Sequence, residues 1–302
     1  MDKLQSVITC LYCGGELVRK ENKFNCSTCG ENFTKEDKVW DFLHKELSAG
    51  MGSSQNKEVS QKLKEIEVFE DVEAYNELMS RPYLRALKED ILKKMNPPEY
   101  KGKNILELGS GYSLFLKEFP EDNFIVASDI NKELLKQNER EDVNYMAMDA
   151  EKLPFKSGTF DLVYIIGVLH HLPNPEMSLE EVKRVVKDSG VIFINEPAKW
   201  SMNLIYYLIR RAMLLVFGEK FLKKLIGCGT PDESFVDLKQ ILEVFPKKEY
   251  DASIWRILPL RMPPVKIMDS WEFPVKVSRM LEKVPVINLA GTIVSVKITR
   301  KA

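Results

Sequence analysis

From residue 104 to residue 197 short apolar runs alternate with segments of helical period. Ile105, Leu106 and Leu108 form one run, Phe124-Ile-Val-Ala-Ser128 the next, then Val143–Met148, Phe160–Ile166 and Val191–Ile194. Each is short enough for a strand buried on both faces, and the intervening helices predict a parallel sheet covered on both sides, with its binding site at the strands' carboxyl ends. Upstream, Val59 to Met95 has helical period, with Ile66, Phe69, Val72, Leu78 and Met79 on one face, and Pro82 opens a new helix over Tyr83–Lys94. These helices are expected to cover the mouth of the site, with Tyr75 a packing residue that could touch a ligand. Downstream, a last strand is predicted over Thr292–Thr299.

Between those strands the pattern changes. Leu204–Ile209, Met213–Phe217 and Phe221–Ile226 are apolar, but Arg210, Arg211, Lys223 and Lys224 interrupt them. A membrane span needs roughly 20 apolar residues, so about 199–234 reads as a helical cap insert with a basic outer face, a face that also suits contact with an anionic membrane surface. A second insert, Pro259 to Pro285, holds Trp271 and Phe273 and is expected to complete a pocket wall.

The first apolar run breaks into Glu107-Leu-Gly109-Ser110-Gly111. The glycines allow a sharp turn and close approach of a ligand to the backbone, and a following helix would offer free N–H groups to an anion. Asp129 ends the next run, where its carboxylate could accept both ribose hydroxyls. A dinucleotide fingerprint wants a third glycine at the place of Leu114, whose bulk would hinder close helix–strand contact.

Glu107-Leu-Gly-Ser-Gly111 resembles motif I of the class I S-adenosylmethionine-dependent methyltransferases, the group that includes the quinone-biosynthesis C-methyltransferases. The likeness continues in order. Asp149-Ala150-Glu-Lys-Leu-Pro-Phe155 is similar to the family's D-A-x-x-L-P-F segment, Phe160 to Leu172 to its fourth strand and turn, and Leu179 to Glu196 to its helix and fifth strand, with Asp188-Ser189 in place of Pro-Gly. The resemblance implies a Rossmann-like α/β fold with a seven-stranded sheet and S-adenosylmethionine as cofactor. It further implies a donor site of Glu107, Gly109, Ser110, Gly111, Asp129, Ile130, Asp149, Ala150 and Gly167. In the family the motif I acid serves the methionine amino end and the later aspartate the adenine amino group. Ser113 stands where many members have another glycine. The plainer reading of Asp129 and Asp149 is as caps of helices that begin just after them. Glu107 resists such a reading, because an acid within an apolar strand is costly unless it has a partner.

Cys10, Cys13, Cys26 and Cys29 form two C-x2-C pairs separated by twelve residues, each followed by a glycine that permits a tight turn. This is the spacing of a four-thiolate zinc ribbon, with redox dithiols or disulfides as the alternatives. A segment of this size has too small a core to be comfortable alone, so a folding-coupled metal suits it. Ser48 to Gln55 reads as a flexible linker, dividing a ribbon at 1–47, a linker at 48–58 and a catalytic domain at 59–302. The opening Met-Asp-Lys-Leu-Gln-Ser-Val lacks a signal peptide's pattern, so cytoplasmic location and reduced cysteines are expected. Cys228 reads as a plain thiol.

Net charge is −1, yet residues 199–302 carry 18 basic against 10 acidic side chains. The apolar cap and the resemblance point to a small-molecule or lipid-like acceptor. RNA is the second reading, carried by the ribbon and the basic final third but opposed by a nearly neutral ribbon without a Lys/Arg stripe. A non-catalytic ribbon adaptor is the third, and the intact acids and glycines speak against it. Methyl transfer from a sulfonium is an in-line displacement in which positioning supplies much of the rate. A base would be needed only for an acceptor with a proton to lose, and His171 and Glu196 are the candidates, with hydrogen-bonded structural roles as their alternative.

Overall fold

The computed structural model describes residues 2–48, 57–68, 82–197, 237–257 and 293–301, with Leu215 and Met280 singly. The cap insert at 199–234 apart from Leu215, the Pro259–Pro285 insert apart from Met280, Tyr75 and Cys228 lie outside the described residues.

The N-terminal part contains α1 (Lys3–Val7), β1 (Leu17–Lys20), β2 (Lys23–Cys26), β3 (Asn32–Glu36), β4 (Val39–Asp41) and α2 (Lys45–Ser48). Two helices follow, α3 (Lys57–Val68) and α4 (Pro82–Met95). The alternating segment gives β5 (Asn104–Leu108), β6 (Phe124–Asp129), α5 (Lys132–Lys136), β7 (Val143–Ala147), β8 (Phe160–Ile166), α6 (Pro175–Val185) and β9 (Val186–Pro197). The chain closes with α7 (Leu238–Val244), β10 (Tyr250–Ile257) and β11 (Ile293–Arg300).

Strands β7-β6-β5-β8-β9-β11-β10 lie side by side in that order, which is the seven-stranded sheet foreseen from the sequence. Six run in one direction, and β11 runs antiparallel to them between β9 and β10. Helices cover both faces. Leu179, Val182 and Val185 of α6 pack with Ile241 and Val244 of α7 on one side. Ile91 and Met95 of α4 and Leu135 of α5 pack on the other. This double cover explains why Ile105, Leu106, Val163, Ile165 and Ile194 are buried without alternation.

The sheet does not stop where the sequence places the linker. β4 pairs in parallel with β7, setting Val39 against Tyr145, Trp40 against Met146 and Asp41 against Ala147, and β1 to β3 continue the same sheet to eleven strands. Thr9 N–H donates to the Pro154 carbonyl at 2.9 Å and Lys156 N–H to the Val7 carbonyl at 2.9 Å. Phe24, Trp40 and Phe42 share one buried cluster with Met146 and Phe155. Lys136 pairs with Glu36 at 2.9 Å and Lys132 with Asp41. The ribbon therefore covers what would otherwise be the open edge of β7.

One local expectation fails. No α-helix follows the glycine turn, where the chain makes a single 3-10 turn at Leu116–Glu118 before β6. The reason lies in Ser113, whose hydroxyl accepts from the N–H groups of Phe115 and Leu116 at 3.3 Å each, while its own N–H donates to Asn138 Oδ1 at 2.9 Å. The donors that would have faced an anion are thus bonded within the chain.

Candidate functional site: three acids around a glycine turn, and a four-cysteine cluster

Because β7, β6 and β5 are adjacent and parallel, the acids at or just past their carboxyl ends emerge on one edge of the sheet: Glu107, Asp129 and Asp149. Gly109 has φ +67°, and a Cβ there would lie 2.2 Å from Val168 Cγ2, so glycine is required twice over. Gly111 N–H donates to Asp129 Oδ2 at 2.8 Å, and Asn131 N–H to Oδ1 at 2.8 Å. The turn is also held by Asn138, whose Nδ2 donates to the Gly111 carbonyl at 3.0 Å. Asn138 lies in a charged stretch with nothing in its sequence surroundings to mark it.

Glu107 is buried, and Ser113 Oγ donates to its Oε2 at 2.7 Å. Burial pushes its carboxyl up to about 8 against the pull of that hydroxyl. Burial also raises Asp129, and the bonds from Asn131 and Gly111 pull it back. Ser110 Oγ is buried without a partner, and the Tyr164 hydroxyl, opposite Glu107 in the β5–β8 ladder, is held well above its ordinary value by burial and by the Glu107 carboxylate. A cavity of about 90 Å³ opens between α4 and the turn, lined by Glu107, Gly109, Ser110, Phe115, Ile166 and Ile91. An orphaned polar atom beside a buried acid and a cavity is what a polar ligand's end would satisfy.

Asp149 sits beyond β7 and is joined to two residues the sequence did not single out. Lys62 of α3 donates to Asp149 Oδ2 and to Glu151 Oε2, at 2.6 Å each, and Glu151 N–H donates to Asp149 Oδ1 at 3.0 Å. Ile130 packs partly buried beside Asp129, and Ala150 lies between the two acids of the Lys62 bridge. Gly167, with φ +69°, ends β8 and donates its N–H to the Asn195 carbonyl at 2.8 Å.

The two candidate bases are placed differently. Glu196 has no exposed surface; its Oε1 accepts from Val168 N–H at 2.8 Å and Leu169 N–H at 2.9 Å, and its Oε2 faces His170 Nδ1 at 2.8 Å. Both of its oxygens hold the turn after β8, the structural role open to it from the sequence. His171 lies on the same turn at Leu169–His171, close enough to Asp129 to favour its ionised form.

The four cysteine sulfurs lie within 4.8 Å of one another, with Cys10 to Cys29 at 3.6 Å and Cys13 to Cys26 at 3.5 Å. Thiolates around one tetrahedral zinc, at about 2.3 Å each, stand roughly 3.8 Å apart. The knuckles are built as the sequence foresaw: Gly14 and Gly30 have φ +69° and +75° and donate to the Cys10 and Cys26 carbonyls at 2.9 and 3.1 Å. The Cys29 N–H lowers the Cys26 thiol to about 6, whereas burial pushes Cys10 up to about 12. The donor set and its spacing fit a metal ion.

Residues 106–194 match the methyltransferase domain family. The chain is 36% identical over 119 residues to MJ1123, an uncharacterized protein of Methanocaldococcus jannaschii, covering 39% of this chain and 52% of that one. It is 29% identical over 162 residues to the ubiquinone/menaquinone biosynthesis C-methyltransferase UbiE of Methylococcus capsulatus, covering 49% of this chain and 63% of the relative. It thus spans between half and two thirds of the length of these relatives. The demethylmenaquinone methyltransferase of Geobacillus stearothermophilus is 26% identical over 63% of this chain and 85% of its own length. Among solved structures, a chain of the complex between the Haloferax volcanii Trm112 methyltransferase activator and a methyltransferase superposes with TM-score 0.52 at 15% identity, over 78% of this chain and 97% of that one. An S-adenosylmethionine-dependent methyltransferase of Thermotoga maritima gives 0.51 at 16% identity, over 78% and 99%. Residues 106–194 thus carry a methyltransferase domain, set in the fold of the class I S-adenosylmethionine-dependent methyltransferases.

Proposed function

We propose that this chain transfers a methyl group from S-adenosylmethionine to a small apolar acceptor of the quinone type. The observation that carries the donor assignment is the convergence of Glu107, Asp129 and Asp149 on one sheet edge around the Gly109–Gly111 turn. The cavity beside Glu107, with the unpartnered Ser110 hydroxyl, suits the amino acid end of the donor. Asp129, whose two oxygens each keep acceptor capacity beyond the one backbone bond they make, suits the ribose hydroxyls. Asp149, with Ala150 beside it, suits the adenine amino group. The bound donor supplies an electrophilic methyl, and this chain's residues supply its position.

The acceptor class rests on the names of the quinone methyltransferases to which the chain is similar. His171, on the turn after β8, is the residue we assign to accept a proton if the acceptor loses one. Zinc is assigned to Cys10, Cys13, Cys26 and Cys29 in a structural role, because four thiolates leave a tetrahedral ion no open position for chemistry. No helix among the described residues is long and apolar enough to cross a membrane. The test is incubation of the protein and methyl-labelled donor with host extract, followed by separation of organic-soluble, RNA and protein fractions. Label in the organic fraction supports the reading, and label confined to RNA overturns it.

A further inference from the structure

Helix α3 has twelve residues, a length at which an isolated helix is marginal in water. Among its described side chains only Val59 is a buried apolar residue, with Leu63 packed in part. What fixes it to the sheet is polar and is aimed at three loops. Gln61 Nε2 donates to the His171 carbonyl beyond β8 at 3.4 Å, and Asn131 Nδ2, beyond β6, donates to the Ile66 carbonyl at 3.1 Å. Between them Lys62 donates to Asp149 and Glu151 beyond β7 at 2.6 Å each, with its side chain 10% exposed and theirs 15% and 4%. Glu151 passes the tie onward, its Oε1 accepting from Asn174 N–H at the start of α6 at 2.6 Å. One short helix thus lies across the loops at the carboxyl ends of three strands, and its central bond is made to a residue assigned to the donor's adenine.

We infer that Lys62 is a positioning residue of the donor site: its ammonium bridges Asp149 and Glu151, latches α3 across the site, and so sets how long the donor stays bound. The inference rests on the donor reading proposed above. Asp149 Oδ2 makes one bond to Lys62 and keeps a second lone pair, so latch and adenine can share the carboxylate. Removing the ammonium leaves the buried Glu151 and the partly exposed Asp149 without their shared cation and frees the middle of the helix.

The test uses the full, metal-replete chain and S-adenosylhomocysteine, which lacks the sulfonium charge that would respond to a changed local field. Stopped-flow binding to Lys62→Met should show dissociation faster by about tenfold, equivalent to about 1.4 kcal/mol, with association little changed, and Lys62→Arg should restore slow release. Glu151→Gln, which keeps the acceptor for Asn174, gives a milder version should Lys62→Met fold poorly. Hydrogen exchange without ligand should be faster in residues 57–68 of Lys62→Met and unaltered in β5 and β6. Unchanged release together with unchanged exchange overturns the inference. Slower release from Lys62→Met also overturns it, because the lysine would then be competing with the donor. A wild type that binds no S-adenosylhomocysteine sinks the donor reading and the residence-time claim with it, while the exchange result still shows whether Lys62 holds the helix.

Discussion

Replacing Glu107 by glutamine isolates the energetic consequence of placing an acid in the central strand. The carboxyl is buried, and burial carries it from an ordinary 4.5 to about 8. The unfolded chain loses this proton near the lower value and the native chain only near the upper one. Stability contributed by the neutral acid is therefore complete below pH 4.5, declines through the window, and is gone above pH 8. Each pH unit in the window is worth about 1.4 kcal/mol, so roughly 3 kcal/mol of this contribution is lost by pH 7, while the native acid still holds its proton, and roughly 5 kcal/mol above pH 8. Glutamine keeps an oxygen for the Ser113 hydroxyl and cannot ionise. Urea unfolding of wild type and Glu107→Gln, in zinc-containing buffer at several pH values, should show the variant gaining on wild type by roughly 2–3 kcal/mol between pH 5.5 and 7.5. Other titrating groups are common to both proteins and cancel in the difference. The same variant should bind the donor far more weakly, so stability and function move in opposite directions. A stability difference that stays flat across this window would refute the assignment of Glu107 as a desolvated acid.

Three further outcomes are expected. Cys10→Ser should lose zinc by elemental analysis and unfold at a lower temperature in one transition of the whole molecule, because β4 is bonded to β7; a ribbon melting separately would contradict the shared sheet. Asp129→Ala should reduce donor affinity by more than tenfold in titration calorimetry, since the ribose contacts proposed for it and the bond that fixes Gly111 are lost together; retained affinity would overturn the donor site. Gly109→Ala should abolish donor binding and destabilise the fold by more than the roughly 1 kcal/mol of an ordinary glycine change, because its Cβ meets Val168 at 2.2 Å in a left-handed backbone; a calorimetric melt like that of wild type would refute this.

Much of this protein was legible as local pattern. Apolar runs of strand length, the glycines flanking Ser110, acids placed at strand ends and the C-x2-C pairs are each set by a few adjacent residues, and the chemistry they imply needs no knowledge of distant neighbours. Strand periodicity located β5 to β9 and β11, and the order of segments pointed to the seven-stranded sheet. β10 was not placed, because Tyr250–Ile257 gains its role only by pairing with β11, which begins far along the chain at Ile293. The linker composition divides ribbon from catalytic domain in the sequence, yet β4 pairs with β7 across that division, since backbone N–H and C=O groups on the edge of β7 pair with whatever strand is brought to them. The helix expected after the glycine turn gave way to side-chain bonds from Ser113 and Asn138, a competition in which the second partner comes from 25 residues away. Glu196 and Lys62 make the same point from opposite directions: one was a candidate base and holds a turn, the other carries no mark in the sequence and bridges two carboxylates beyond β7. Sequence determined which chemistry the chain carries, and the tertiary structure decided how each charged group is used, because the cost of burying a charge depends on partners that only folding brings within reach.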